Sequence, residues 1–274
     1  MLKRAISGSG EMIPIMGLGT YRTFNVGGQS ADREPLKEVL RLFVQHGGSV
    51  IDSSPMYGAS ETAVGDLAAE TGLTKKLFMA TKVWTSGRDS GIRQMEDSMR
   101  KMRAQPMDLM QIHNLQDWRT HEKTLAEWKN AGRIRYDGIT HYHSGAYTEL
   151  ERIMKARKFD FVQLNYSIVE REAEDRLLKV AQDTGTAVIV NRPFAQANLF
   201  SRVRGRELPA WAADFDCKSW AQFFLKYIAA HPAVTCIIPA TGNPKHIVDN
   251  MMAGVGRLPD AATRRRLAAF MDTI

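Results

Sequence analysis

At 274 residues, with 44% apolar and 24% charged side chains, the chain has an ordinary globular composition and enough apolar residues for one large core. Two cysteines, Cys217 and Cys236, are too few for a disulfide framework and lack the spacing of a metal site, so both read as buried thiols in a reducing compartment. The net charge of +7 is spread among the helices, with clusters only at 202–206 (RVRGR) and 264–266 (RRR), which excludes nucleic-acid binding as the main task and better suits a phosphorylated small molecule.

The first residues, MLKRAISGSGEM, carry no apolar stretch of the kind a secretory signal needs. They read instead as part of a hairpin over residues 2–14 that turns at SGSG. Eight short apolar runs follow: IMGLGT (15–20), SVID (49–52), KLFMATK (76–82), MDLMQIH (107–113), IRYDGI (134–139), FDFVQLN (159–165), TAVIVN (186–191) and VTCIIP (234–239). Between them lie helical patterns, such as Leu36, Val39, Leu40, Phe43 and Val44 on one face and Ile92, Met95, Met99 and Met102 on another. Trp220, Phe223, Phe224, Tyr227 and Ile228 mark the helix before the last strand, and TRRRLAAFM (263–271) reads as an added terminal helix. No run approaches the roughly 20 apolar residues that span a bilayer, so a cytoplasmic chain without membrane contact is expected, and nothing points to an obligate protein partner.

Eight strands, each followed by a helix, predict an α/β fold of the (β/α)8 barrel type, with a short N-terminal hairpin and an extra C-terminal helix. An open doubly wound sheet is disfavoured because GLGT (17–20) runs on into YRTFNVGG rather than into a helix, and no GxGxxG follows the first strand. No linker or repeat divides the chain, so residues 1–274 are expected to form one domain.

Polar residues close several of the apolar runs, at the ends where barrel enzymes place their chemistry. Asp52 closes SVID, Tyr57 follows in SSPMYG, Lys82 closes FMATK and His113 closes LMQIH. Asp52 and Lys82 alone would read as a buried ion pair. With Tyr57 and His113 added, the set suits reduction of a carbonyl, because hydride attack builds negative charge on oxygen that needs a donor and then a proton. Tyr57 can supply both if the neighbouring ammonium of Lys82 lowers a phenol pKa that is ordinarily near 10. His113 would orient the carbonyl through one ring nitrogen, with neighbouring backbone fixing which nitrogen carries the proton. A metal-dependent barrel would need more ligands than Asp52 and His113, so no metal is expected.

The segment GGSVIDSSPMYGASETAVG (47–65) resembles the signature of the aldo-keto reductase family, ATKVW (80–84) its lysine strand and DLMQIHN (108–114) its histidine strand. The similarity runs in the same order from GLGTY (17–21) to IIPATGNPKHIVDN (237–250). The resemblance implies an NAD(P)H-dependent oxidoreductase acting on a small carbonyl compound, with Tyr57 as general acid, Lys82 and Asp52 as its support, and His113 orienting the substrate. It also implies aromatic pocket walls at Tyr21 and Trp84; Trp118, Phe194 and Trp211 add to an expectation of an apolar or ring-bearing substrate.

For the cofactor, the resemblance implies carboxamide contacts from Thr140, His141 and Gln163. The loop from Asn191 through Arg192, Pro193 and Phe194 would pack on the nicotinamide, where many relatives have a stacking aromatic ring in place of Asn191. Arg202 and Arg204 are phosphate candidates. The segment 238–250, with Ala240, Thr241, Lys245, His246, Asp249 and Asn250, resembles the adenosine-phosphate motif ahead of a helix N-terminus, which favours NADPH over NADH. A cofactor-sensing regulatory subunit with little turnover is the alternative; an intact set of four catalytic groups argues against it.

Overall fold

A computed structural model describes residues 1–28 and 30–274. The SGSG turn joins two antiparallel strands, β1 (Lys3–Ala5) and β2 (Met12–Pro14), with Arg4 opposite Ile13. Gly10 supplies the left-handed backbone this turn needs, at φ 74°. Eight parallel strands follow in sequence order: β3 (Leu18–Gly19), β4 (Val50–Asp52), β5 (Phe78–Val83), β6 (Met107–His113), β7 (Ile134–Thr140), β8 (Phe161–Asn165), β9 (Ala187–Asn191) and β10 (Val234–Ile237). Parallel bridges between Met16 and Ile237 and between Gly19 and Ala240 close the ring, so the sheet is a barrel. Gly19 allows that seam, since a Cβ there would sit 2.8 Å from the Ile238 carbonyl oxygen.

Strand side chains alternate between the barrel interior and the helical layer. At the N-terminal end the inward set is apolar: Val50, Phe78, Ala80, Leu109, Phe161 and Ile189 form one buried cluster, and Ile6 and Ile13 of the hairpin join it. Two to four positions further along the strands the inward set turns polar, with Asp52, Lys82, Gln111, His113 and Gln163 all buried. The hairpin thus covers one end of the barrel, and the chemistry-bearing groups gather at the other.

Outside the strands lie α1 (Ser30–Gln45), α2 (Ser60–Glu70), α3 (Arg88–Met102), α4 (Trp118–Asn130), α5 (Tyr147–Ala156), α6 (Leu177–Thr184), α7 (Asn198–Arg202), α8 (Trp220–Ala229), α9 (Pro244–Met252) and α10 (Ala261–Asp272). Outward strand residues such as Ile51, Met110, Ile112 and Val162 share a second core with the helix faces read from the sequence, including Leu36, Phe43, Met95 and Met99. The expected terminal helix is α10. Its Arg264 pairs with Glu174 and donates to the Tyr227 carbonyl, while Arg266 lies 4.2 Å over the Trp211 ring, so two members of the RRR cluster are committed to packing. Trp211 is a correction to the substrate-pocket expectation: its ring packs on Phe215, Phe223 and Phe270, sealing α8 against α10. Among the described residues, no helix is long and apolar enough to cross a membrane.

Candidate active site

Lys82 has no exposed surface, and its Nζ lies 2.5 Å from Asp52 Oδ2 and 2.6 Å from the Ser53 carbonyl oxygen. The second carboxylate oxygen of Asp52 accepts the side-chain amides of Gln111 and Gln163, each at 3.0 Å. Gln163 also donates to Gln111 Oε1 at 3.2 Å and accepts from Asn191 Nδ2 at 3.2 Å. A buried polar chain therefore crosses the barrel from β5 through β4, β6 and β8 to β9. The sequence reading missed Gln111; its polar type at an inward position two residues before His113 was the available signal.

Tyr57 sits half-buried in the loop after β4. Its N–H donates to the Ser54 carbonyl, and its own carbonyl accepts from the Ser60 N–H and hydroxyl. Gly58 follows at φ 62°, where a Cβ would meet Asn25 Oδ1 at 2.3 Å, so glycine is required for the Tyr-Gly turn. Lys82 Nζ is 5.3 Å from the centre of the Tyr57 ring, and the ring meets His113 edge-on at 5.9 Å and Tyr21 at 5.0 Å. The structure corrects the expected direction of the phenol's pKa. Burial pushes it well above the ordinary tyrosine value, and the Asp52 charge and Tyr21 push it the same way. Asp52 touches Lys82 directly, so the ammonium does not act on the phenol alone.

His113 is buried, and its Nδ1 lies 2.9 Å from Ser54 Oγ, so the partner of the ring is a side-chain hydroxyl and not the expected backbone group. Burial, with help from the Lys82 and His141 charges, holds its pKa at about 2. The imidazole is neutral at any ordinary pH. Tyr21 and Trp84 are exposed at the rim, with the Trp84 ring 6.4 Å from that of His113. Trp118 is half-buried at the start of α4, where it packs on the outer core with the guanidinium groups of Arg119 and Arg152 over its ring at 4.7 and 5.7 Å.

Thr140 is buried at the end of β7, and the next residue, His141, donates its N–H to the Gln163 carbonyl. The His141 ring stacks on Tyr142 at 5.3 Å; burial and then His143 lower its pKa to about 4. Arg192 has φ 51° and donates to the Tyr142 carbonyl at 2.8 Å, tying the loops after β7 and β9 together. Two buried atoms here lack a hydrogen-bond partner among the described residues: Asn191 Oδ1 and Arg192 Nε. Pro193 is buried, and Phe194 packs on Phe200 and Phe224 at 4.9 and 6.4 Å. Its ring therefore belongs to an aromatic cluster shared with α7 and α8. Arg202 and Arg204 are exposed and make no ion pair among the described residues.

After β10, Thr241 Oγ1 accepts from the Asn243 N–H, and Asn243 caps α9 by accepting from the Lys245 N–H at 2.9 Å. Ala240, Lys245 and His246 are exposed around this helix start, and Asn250 is buried one turn on. Asp249 is already engaged, since Ser219 Oγ and Gln222 Nε2 each donate to one of its oxygens at 2.7 Å. Its carboxylate joins α9 to the start of α8. Among the described residues, no group of three or more His, Cys, Asp or Glu is placed to hold a metal ion.

The model of the aldo/keto reductase family matches residues 15–265. The chain belongs to that family. Among its relatives, methylglyoxal reductase YeaE from Escherichia coli is 28% identical over 259 residues, spanning 91% of this chain and 89% of the relative. An aldo-keto reductase from Klebsiella pneumoniae, solved in complex with NADPH, superposes with a TM-score of 0.80 at 25% identity, covering 99% of this chain and 96% of that one. A holo-form aldo-keto reductase from Bacillus halodurans shares the fold with a TM-score of 0.79 at 20% identity, over 99% and 96% of the two chains. Family membership makes the chain an oxidoreductase on a (β/α)8 barrel.

Proposed function

We propose that residues 1–274 act as one catalytic domain that reduces small aldehydes or ketones to alcohols with NADPH. The observation that carries this reading is the half-buried Tyr57 hydroxyl-bearing ring set against both a neutral His113 and the buried Lys82–Asp52 pair at one mouth of the barrel. The E. coli relative's name makes methylglyoxal the first carbonyl to try, and the Klebsiella neighbour supports the choice of cofactor.

The residues present fit such a dinucleotide. The unpartnered Asn191 Oδ1 is a buried acceptor suited to a carboxamide N–H, beside Thr140, His141 and Gln163. Arg202 and Arg204 offer unpaired cations to phosphate, and the capped start of α9 with Lys245 and His246 suits the 2′-phosphate that distinguishes NADPH from NADH. Phe194 and Arg192 would contribute only a wall beside them, given their existing contacts. When bound, NADPH supplies the hydride that reaches the carbonyl carbon.

The protein's own groups handle the oxygen. His113 is held neutral and so offers one ring N–H to the carbonyl without carrying charge. Tyr57 keeps its proton through the working pH range, because burial and Asp52 disfavour the phenolate; it is a poised acid that gives up its proton only as the substrate oxygen becomes basic. Lys82 then stabilises the phenolate formed in that transfer, which is a different use of its charge from lowering the resting pKa. Tyr21 and Trp84 wall the entrance.

Replacing Tyr57 by Phe keeps the ring and removes the proton. NADPH binding, followed by fluorescence, is expected to survive, while single-turnover reduction of the best carbonyl falls by about 10²- to 10⁴-fold or beyond. A folded Tyr57→Phe protein that binds NADPH and reduces that carbonyl at the parent rate would falsify the assignment.

A further inference from the structure

Ser54 is fully buried two residues beyond the strand-end Asp52. Its Oγ lies 2.9 Å from His113 Nδ1, and the Met56 N–H donates to the same oxygen from 3.4 Å. A neutral imidazole carries one proton, on Nδ1 or on Nε2, and the two choices differ for Ser54. With the proton on Nδ1, the ring donates to Oγ, and the hydroxyl proton is left in the interior without an acceptor among the described residues. With the proton on Nε2, Ser54 donates to the Nδ1 lone pair while accepting from Met56, so both the hydroxyl and Nδ1 are satisfied. Buried hydroxyls take the second kind of arrangement, because an unmet donor away from water is costly. The adjacent Ser53 offers no substitute, since its Oγ pairs with Thr20 Oγ1 at 3.0 Å on another side.

We infer that Ser54 is a positioning residue that holds His113 in the Nε2–H tautomer. It leaves that N–H as the ring's donor for a carbonyl oxygen beside Tyr57. The part of this inference that concerns turnover rests on the carbonyl-reductase reading; the tautomer itself does not. Removing the hydroxyl by Ser54→Ala leaves a buried Nδ1 without its donor, so the Nδ1–H form gains population and the ring is no longer presented in one state.

The test is nitrogen NMR of protein labelled with ¹⁵N-histidine, recorded near neutral pH without cofactor or substrate, with His113→Gln identifying the resonance. The parent is expected to show Nε2 protonated and Nδ1 bare. In Ser54→Ala the two nitrogens shift toward each other, kcat falls by about 10- to 100-fold, the scale for losing a partner that orients an imidazole, and NADPH affinity stays at the parent value. Ser54→Thr, which keeps a hydroxyl, recovers the parent spectrum. A parent spectrum with the proton on Nδ1, or one that Ser54→Ala leaves unchanged, overturns the inference. If no carbonyl is reduced, the functional reading fails, and the spectra still decide the role of Ser54.

Discussion

Lys82 shows how much a single charge asks of its surroundings. It has no exposed surface, and it keeps its ammonium in the barrel because Asp52 and the Ser53 carbonyl meet it there. Asp52 in turn depends on Lys82 and on the amides of Gln111 and Gln163. Breaking such a pair from one side leaves the partner charge buried and unmet. Lys82→Met is therefore expected to lower stability by about 3 to 5 kcal/mol in urea unfolding, as well as to cripple turnover. The double variant Asp52→Asn with Lys82→Met removes both charges and should recover part of that stability while remaining inactive. A Lys82→Met protein with the parent's unfolding midpoint would mean that the pair contributes little to the fold.

At the scale of single elements, α9 carries the clearest consequence. Asn243 caps it, Pro244 occupies its first turn, and Asp249 pins it to Ser219 and Gln222 at the start of α8. The helix start is thereby held rigidly, with the positive end of its dipole and the exposed Lys245 side chain beside it. If this element takes the 2′-phosphate, Lys245→Ala should weaken NADPH by about 5-fold, the scale of an exposed charge contact, and leave NADH nearly unchanged. Fluorescence titration with both cofactors checks it. Equal losses for the two would remove Lys245 from phosphate recognition.

Across the whole molecule, the buried His113 and the half-buried His141 and His231 are held in the neutral form. Burial leads in each case: His113 is held at about 2, and His141 and His231 at about 4. His231 also uses its Nδ1 to accept the Ala233 N–H at 3.2 Å, a bond that protonation would break. An unfolded chain takes up these protons near pH 6.5, whereas the folded chain refuses them until much lower pH. This contribution to stability is complete above about pH 6.5 and is lost as pH falls through the window toward about 4. Thermal midpoints should accordingly drop between pH 7.5 and pH 5. His231→Gln should flatten that drop by the equivalent of one proton; an unchanged slope would show that His231 titrates normally in the folded state.

Much of this architecture was legible without coordinates. Each short apolar run became a strand because inward and outward positions alternate, and both faces of a barrel strand are buried, so local composition carries the signal. The same alternation fixed Asp52, Lys82 and His113 as inward-facing groups at strand ends. Partners across the barrel are another matter. Gln111, Gln163 and Asn191 meet Asp52 or one another only once eight strands close in register, and Ser54 finds His113 only because β4 and β6 approach through the loop beyond Asp52. Phe194 and Asp249 carry the residue types of a binding site, yet neighbouring helices claim them. The direction of the Tyr57 pKa likewise depended on burial and on Asp52 standing against Lys82. Residue type and spacing determine which groups face the barrel mouth; which of them stay available, and in which protonation state, depends on contacts between segments far apart in the chain, which only the closed tertiary structure supplies.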